Sequence, residues 1–159
     1  MAMKRMAIAL FTAICICLSP VAAYSFTQDI GSLTLVVAHG DEAINGLRMT
    51  VCRVASADDS TGELVYTLTE SFENLSVSFG DLSDPDTNKA LAELFDNAAG
   101  DNAVSRPVYV TDAEGKIALK QLDTGLYLIA QATAEEGGYT IAPFLVPMPL
   151  FENDSWQYV

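Results

Sequence analysis

The sequence has few of the residues that most often build catalytic and metal sites. Its 159 residues include three cysteines, one histidine and one tryptophan. Lysine and arginine number 8 against 21 aspartates and glutamates, which gives a formal net charge of −13. Such a charge repels phosphate backbones and anionic lipid, which argues against nucleic acid or a membrane surface as a partner. So few thiols and imidazoles leave little material for a metal site or for histidine-based catalysis, and we expect no cofactor.

The chain is not short of apolar residues, which excludes disorder for most of it. Hydrophobic residues make up 50% of the sequence and charged residues 18%, whereas disordered chains combine low hydrophobicity with high charge. The length is typical of one domain. The charge is uneven: residues 1–28 contain two basic residues and no acidic ones, so all of the negative charge follows them.

Residues 1–23 have the pattern of a secretory signal peptide. Two basic residues precede an apolar run over 6–18, which is too short to span a bilayer comfortably. Pro20 ends this run, and the small residues around Ala23 predict cleavage after it. The alternative is an uncleaved N-terminal anchor. We therefore expect a secreted, extracellular protein, associated with the cell wall if the native chain is longer, with residues 24–30 as a linker.

Cleavage leaves Cys52 as the remaining cysteine, since Cys15 and Cys17 lie in the signal peptide. One cysteine cannot form an intramolecular disulfide. Cys52 lies in a strand-like run over 47–55, where a free thiol usually packs as a small apolar side chain. We expect a buried or half-buried strand residue; the alternative is a reactive thiol or an intermolecular disulfide.

The rest of the chain reads as β-structure. Short runs rich in Val, Leu and Tyr are separated by polar turn sequences, and prolines in the run 139–148 predict a strand at a sheet edge or with a bulge. Segment 108–122 is expected to form a hairpin around the turn Asp112–Gly115. The predicted strands cover 32–38, 47–55, 63–70, 75–79, 108–111, 116–122, 126–131, 139–148 and 156–159.

One short helix interrupts the strands, over about 86–98. Asp84 is a typical N-cap and Pro85 a typical first helical residue. Apolar residues follow at helical spacing, and Gly100 is expected to end the helix. The sequence thus predicts an all-β, immunoglobulin-like sandwich with one inserted helix, preceded by a signal peptide.

Two sequence blocks resemble a known family. Residues 111–129, TDAEGKIAL…LDTGLYLI, resemble collagen-adhesin B-type (prealbumin-like) domains of Gram-positive surface proteins. The stretch PFLVPMP at 143–149, followed by WQYV at 156–159, resembles the N-terminal domain of sortase-assembled pilin subunits. The resemblance implies a pilin-like domain over 31–159 whose last strand is truncated.

Gly115 and Gly125 lie within the first of these blocks, and we predict that both serve turns. Gly115 is expected to supply a positive φ in the hairpin, and Gly125 to let the chain turn before a buried strand. These are requirements of the fold rather than of a reaction.

The resemblance implies an isopeptide bond, but residues that would form one are missing from this sequence. Such domains often carry a Lys–Asn or Lys–Asp isopeptide bond, which needs a lysine in the first strand, its partner in the last strand and a nearby acid. The first strand, 32–38, has no lysine, and Gln131 stands where the acid is expected. We predict no intramolecular isopeptide bond, with Lys116 and Lys120 as surface charges.

Sortase joining also lacks its residues in the sequence given. The sequence contains no LPxTG-like motif. The lysine through which the family's subunits are joined is expected beyond Val159. The chain is therefore expected to be either a truncated or degenerate pilin domain or a free secreted relative.

Two further patterns are weak. The acidic spacing over 84–88 resembles a Ca²⁺ loop, but Lys89 and Phe95 occupy positions that need Gly and Glu, so we expect a helix cap. His39 lies near Asp41 without an evident nucleophile, so we expect a solvated loop residue. We assign no catalytic, metal or cofactor-binding residue.

The sequence therefore predicts a non-enzymatic surface protein for pilus assembly or adhesion, with other pilin or surface subunits as partners and no small-molecule substrate. Trp156, Tyr158 and Val159 are expected to close the sandwich by pairing along residues 32–38. The alternative function is a free secreted adhesin-type module that binds a host protein or glycan. A secreted hydrolase is a third hypothesis, without a Ser/His/Asp or paired-carboxylate set behind it.

Overall fold

The computed structural model describes residues 31–58, 64–133, 138–148, 150–152 and 155–157. The signal peptide and linker expected over 1–30 lie outside these residues. A short 3-10 helix covers Glu70–Phe72, and one α-helix, α1, covers Pro85–Asp101. The described strands are β1 (Gly31–Val36), β2 (Ala38–His39), β3 (Glu42–Ala43), β4 (Arg48–Asp58), β5 (Val65–Leu68), β6 (Val108–Val110), β7 (Lys116–Leu122), β8 (Gly125–Gln131), β9 (Phe144–Met148), β10 (Leu150–Glu152) and β11 (Ser155–Gln157).

The larger sheet is antiparallel and has β4 and β8 at its centre. Its order is β5–β4–β8–β9, and β6 also pairs with β4. Both β5 and β6 lie on the side of β4 that β8 leaves free, at opposite ends of this long strand. The continuous apolar sequence of β8 fits its position, because it is buried along nearly its whole length.

A second sheet, made of β1 and β7, packs on one face of the larger sheet. Leu35 of β1 and Ile117 and Leu119 of β7 point inward and join Met49 and Ile129 in one apolar core. Alternate residues of β7 point outward and are exposed. Two facing sheets around an apolar core make a β-sandwich.

Helix α1 covers the opposite face of the larger sheet. Ala92 and Phe95 of the helix pack against Val54, Leu128 and other side chains that point away from the small sheet. Phe95 also meets Phe72 edge to face, with ring centroids 5.4 Å apart. The larger sheet is therefore buried on both faces. The fold class is the one that the sequence predicts: all-β and immunoglobulin-like, with one helix.

The helix begins where the sequence places it and ends later. The carboxylate of Asp84 accepts hydrogen bonds from the Thr87 N–H (2.9 Å) and hydroxyl (2.6 Å), so Asp84 is the N-cap. The helix continues through Gly100 and ends after Asp101, where Ala103 has a φ of 50°. Gly100 is thus the last residue but one of the helix rather than the expected stop. Among the described residues, no helix has the length and hydropathy needed to cross a membrane.

Two predicted strands differ from the structure. Residues 75–79 form no strand, although Leu75, Val77 and Phe79 alternate inward against the helix-side core. The strand predicted over 139–148 is confined to β9, which starts directly after Pro143 and lies at a sheet edge, as its prolines indicate. An alternating pattern therefore marks which side chains face the core, but it does not guarantee that the segment pairs with another strand.

The hairpin predicted over 108–122 is wrong. Strand β6 pairs with β4 in the larger sheet, whereas β7 pairs with β1 in the smaller one. The turn between them is tight, since the Gly115 N–H donates to the Asp112 carbonyl at 3.0 Å. Residues 111–115 therefore carry the chain from one sheet to the other. Local turn sequence does not report that the flanking strands belong to different layers.

Candidate assembly surface

The crossing between the sheets is fixed by the buried side chain of Thr111. Its hydroxyl donates to the Ile44 carbonyl (2.7 Å) and accepts from the Leu47 N–H (2.9 Å). The backbone of Thr111 exchanges further bonds with Leu47 and Gly46, each 3.0 Å long. Thr111 is only 2% exposed, so these bonds are shielded from water. They hold the start of β4 against the point where the chain leaves β6.

Gly115 sets the entry into β7. Its φ is +72°, and a Cβ at this position would overlap the carbonyl oxygen of Val37. The Gly115 carbonyl accepts a 2.8 Å hydrogen bond from the Val37 N–H. Glycine is required here both by the left-handed backbone and by the close approach of the two chains. The contact continues the ladder between β1 and β7.

The outer edge of β1 follows from this ladder. The Val37 N–H bonds to the Gly115 carbonyl, in the same register that pairs Leu35 with Ile117. The backbone N–H and C=O groups of the odd-numbered residues in β1 therefore point toward β7. Because backbone groups alternate in direction along an antiparallel strand, the N–H groups of Ser32, Thr34 and Val36 point away from β7. Within the described residues, β1 pairs with β7 alone. This six-residue strand therefore presents one unpaired edge.

Trp156, the first of the three predicted closing residues, lies in β11. Its backbone pairs with Phe151 of β10 in a short hairpin. In the part of the chain that the structure describes, β11 pairs with β10 and not with β1. Tyr158 and Val159 lie outside the described residues. Pairing of this set along 32–38 stays a prediction, and β11 keeps one edge that β10 does not occupy.

Gly125 differs in role from its expected place in a turn. It is the first residue of β8, opposite Ser56 and Met148, and its φ is not in the left-handed region. A Cβ here would overlap the Ala55 carbonyl and lie 2.5 Å from Arg53 Nε. Gly125 therefore allows the close approach of β4 to β8, next to a register shift between Arg53 and Ala55.

The Arg53 side chain crosses over this glycine. Its guanidinium donates to the Thr124 carbonyl and lies 3.5 Å from the Asp123 carboxylate. The Tyr127 hydroxyl donates to the Asp123 carbonyl at 2.7 Å. Burial raises the pKa of Tyr127 to about 12, with Arg53 acting in the opposite direction and Asp123 adding slightly to the rise. The cluster holds the turn before β8 and keeps the phenol protonated.

The positions associated with an isopeptide bond have structural partners. The Gln131 side chain donates to the Tyr139 carbonyl (3.0 Å) and accepts from the Ile141 N–H (2.9 Å). It thereby ties the end of β8 to the segment before β9. Lys116 and Lys120 lie on the outer face of β7 and are exposed. Neither lysine points into the core where an amine would lose its charge.

The acidic residues before α1 form local caps. Asp81 accepts from Ser83 and Asp84 from Thr87, and the hydroxyl bonds lower the pKa of both carboxyls. The described residues hold no group of three or more His, Cys, Asp or Glu side chains placed to bind a metal. His39 is exposed in β2, paired with Glu42, with its ring 6.1 Å from that of Tyr139.

Cys52 is half-buried in β4. Burial raises the pKa of its thiol to about 11; Arg106 lowers the pKa by a smaller amount and Asp96 raises it slightly. The thiol is therefore protonated and weakly nucleophilic at neutral pH. Cys52 packs beside the helix-side core, as a small apolar residue would.

Asn88 has a role that the sequence does not indicate. It lies in the first turns of α1, and its amide nitrogen donates to the carbonyls of Leu145 (2.9 Å) and Leu82 (3.2 Å). Its amide oxygen accepts from the Leu145 N–H at 2.9 Å. The only sequence signal at Asn88 is its place in the failed Ca²⁺ spacing, because its partner lies 57 residues away.

An open groove of about 360 Å³ runs beside this contact. Asn88 lies in its wall, together with Leu82, Lys89 and Phe144. Both N–H groups of the Asn88 amide already bond to backbone carbonyls, so the amide has no donor left for a ligand in the groove.

No protein-family model matches the sequence, and the comparison with curated proteins gives no match. Among solved structures, the chain is similar to the full-length major pilin SpaD from Corynebacterium diphtheriae, with 25% identity and a TM-score of 0.48 over 81% of this chain. It is also similar to the fimbrial protein FimP from Actinomyces oris, with 17% identity and a TM-score of 0.45 over 82% of this chain. The chain spans 28% of the length of each of these proteins.

Proposed function

We propose that this chain is an exported, non-enzymatic structural module of a bacterial surface fibre, resembling the N-terminal domain of a sortase-assembled pilin subunit. Its partners are other subunits of the fibre. The N-terminal sequence supports export, because residues 1–23 have the charge and hydropathy pattern of a signal peptide. The blocks 111–129 and 143–149 support the resemblance, because they supply β7, β8 and β9 of the sandwich.

The observation that carries the proposal is the outer edge of β1. A six-residue strand with outward N–H groups at Ser32, Thr34 and Val36 is an acceptor for one more strand. Val36 adds an apolar side chain that is 63% exposed at the end of this strand. A module with such an edge gains pairing and burial when a further strand is added.

The strand that we propose for this edge is the segment around Trp156, Tyr158 and Val159. Within the described residues, β11 pairs with β10 along one edge, and the proposal places β1 at the other. In the domains that the sequence resembles, this last strand leads to the lysine that joins one subunit to the next. Closure of the sandwich and assembly of the fibre are therefore parts of one proposal.

The proposal is tested on the protein from the bacterium that produces it. Surface extracts are boiled in SDS and probed with an antibody raised against residues 31–148. A ladder of regularly spaced, SDS-resistant bands is expected, because sortase joins subunits through covalent amide bonds. Removal of the sortase gene from the same strain should collapse the ladder to a monomer, which is the matched control.

A single product in the culture medium, with an intact mass matching residues 24–159, would overturn assembly by this route. Saturable binding of that monomer to a host extracellular protein or glycan would then support the adhesin-type module instead.

A further inference from the structure

The β9 edge of the larger sheet differs from the β1 edge in its backbone groups. Both the N–H and the C=O of Leu145 bond to Asn88, which lies outside the sheet. Backbone groups alternate in direction along a strand. The N–H and C=O groups of Phe144 and Val146 therefore point toward β8, and the backbone groups of Leu145 and Pro147 point away from it. The outer edge of β9 is therefore defined by positions 145 and 147.

These outward positions have no N–H group free for another strand. Pro147 is a proline and has no N–H. Pro143 directly precedes β9, two positions before Leu145, and it also has no N–H. Within β9, Leu145 has the one outward N–H, and the Asn88 oxygen accepts from it at 2.9 Å. Proline at alternate positions is a common way for natural sheets to protect an edge.

The Asn88 amide copies the bonding of a neighbouring strand. It accepts from the N–H and donates to the C=O of the same residue, as the facing residue of an antiparallel ladder does. Its second N–H bonds to the Leu82 carbonyl, which fixes the amide plane. The Asp84 cap fixes the start of the helix that carries it. The contact is thus held from two sides.

We infer that Asn88 and the alternating prolines close the β9 edge to strand addition by a second copy of this chain. Proline leaves a single outward N–H in β9, that of Leu145, and the Asn88 side chain covers it. Substitution of Asn88 should therefore open this part of the edge. The inference does not depend on the proposed function, since it concerns the opposite sheet and holds for a free secreted domain as well.

The first experiment measures amide hydrogen exchange by NMR on the exported form, residues 24–159. In the unmodified protein, the Leu145 amide should exchange about as slowly as those of Phe144 and Val146. In Asn88→Leu, the Leu145 amide should exchange about tenfold faster, the equivalent of one lost hydrogen bond. The matched control is Asn102→Leu, because Asn102 is the C-cap of the same helix but bonds to the Ser71 carbonyl. The control should leave Leu145 unchanged.

The second experiment measures self-association by sedimentation velocity. The double variant Asn88→Leu/Pro147→Val has outward N–H groups at 145 and 147, and it should form dimers at concentrations where the unmodified protein and Pro147→Val alone stay monomeric. Fast exchange of Leu145 in the unmodified protein would overturn the inference without any variant. A monomeric double variant that keeps its fold would overturn it as well.

Discussion

At the scale of single residues, Thr111 shows how one hydroxyl fixes a chain crossing. Replacement by valine keeps the shape of the side chain and removes the bonds to the Ile44 carbonyl and the Leu47 N–H. Leu47 is 2% exposed, so water cannot replace the lost partner. We expect Thr111→Val to lower the free energy of unfolding by about 2–3 kcal/mol, measured by urea denaturation.

The matched variant Thr111→Ser keeps the hydroxyl and removes one buried methyl group. It should lower the free energy of unfolding by about 1 kcal/mol, the transfer free energy of that group. A loss in the valine variant that is smaller than the loss in the serine variant would show that packing contributes more than the hydrogen bonds to holding the crossing.

At the scale of elements, the close approach of β4 and β8 depends on Gly125. A methyl group there would overlap the Ala55 carbonyl and displace the Arg53 side chain. We expect Gly125→Ala to lower the free energy of unfolding by about 1–3 kcal/mol, because the two central strands must separate to admit it. Urea denaturation measures the change.

The control for that variant is Gly100→Ala in α1, where a Cβ has no neighbour within 4 Å. It should raise the free energy of unfolding by up to about 1 kcal/mol, because alanine is the better helix former. A neutral Gly125→Ala beside a stabilising Gly100→Ala would contradict the packing argument at β4 and β8.

The elements also show what local sequence can predict. The Asp84–Pro85 start of α1 was predictable because a helix cap is made by residues three positions apart. The hairpin over 108–122 was not, because β6 and β7 owe their places to partners in β4 and β1. Gly100 misled for a different reason: it lies at an open position near the end of α1, where glycine is tolerated without ending the helix.

At the scale of the whole molecule, the sequence predicted the sandwich because apolar periodicity marks the faces of strands wherever they lie. It could not predict which sheet each strand joins, nor the contact between Asn88 and Leu145, whose spacing along the chain is set by the fold alone. The candidate assembly surface was also predictable only in part. The proline pattern of β9 was readable as an edge, whereas the outward N–H groups of β1 required the register with β7.

The β1 edge and the β9 edge should respond differently when the last strand is removed. In a variant of residues 24–159 that ends after Asp154, the segment proposed to close the β1 edge is gone. We expect the melting temperature to fall by about 5 °C or more, because the outer edge of β1 loses the strand that we propose to pair with it. In the same variant, the outward amide of Thr34 should exchange faster, while the amide of Leu35, which faces β7, serves as the internal control. The Leu145 amide should stay protected, because Asn88 and not the last strand covers it. An unchanged melting temperature together with unchanged exchange at Thr34 would show that the residues around Trp156 do not close the sandwich.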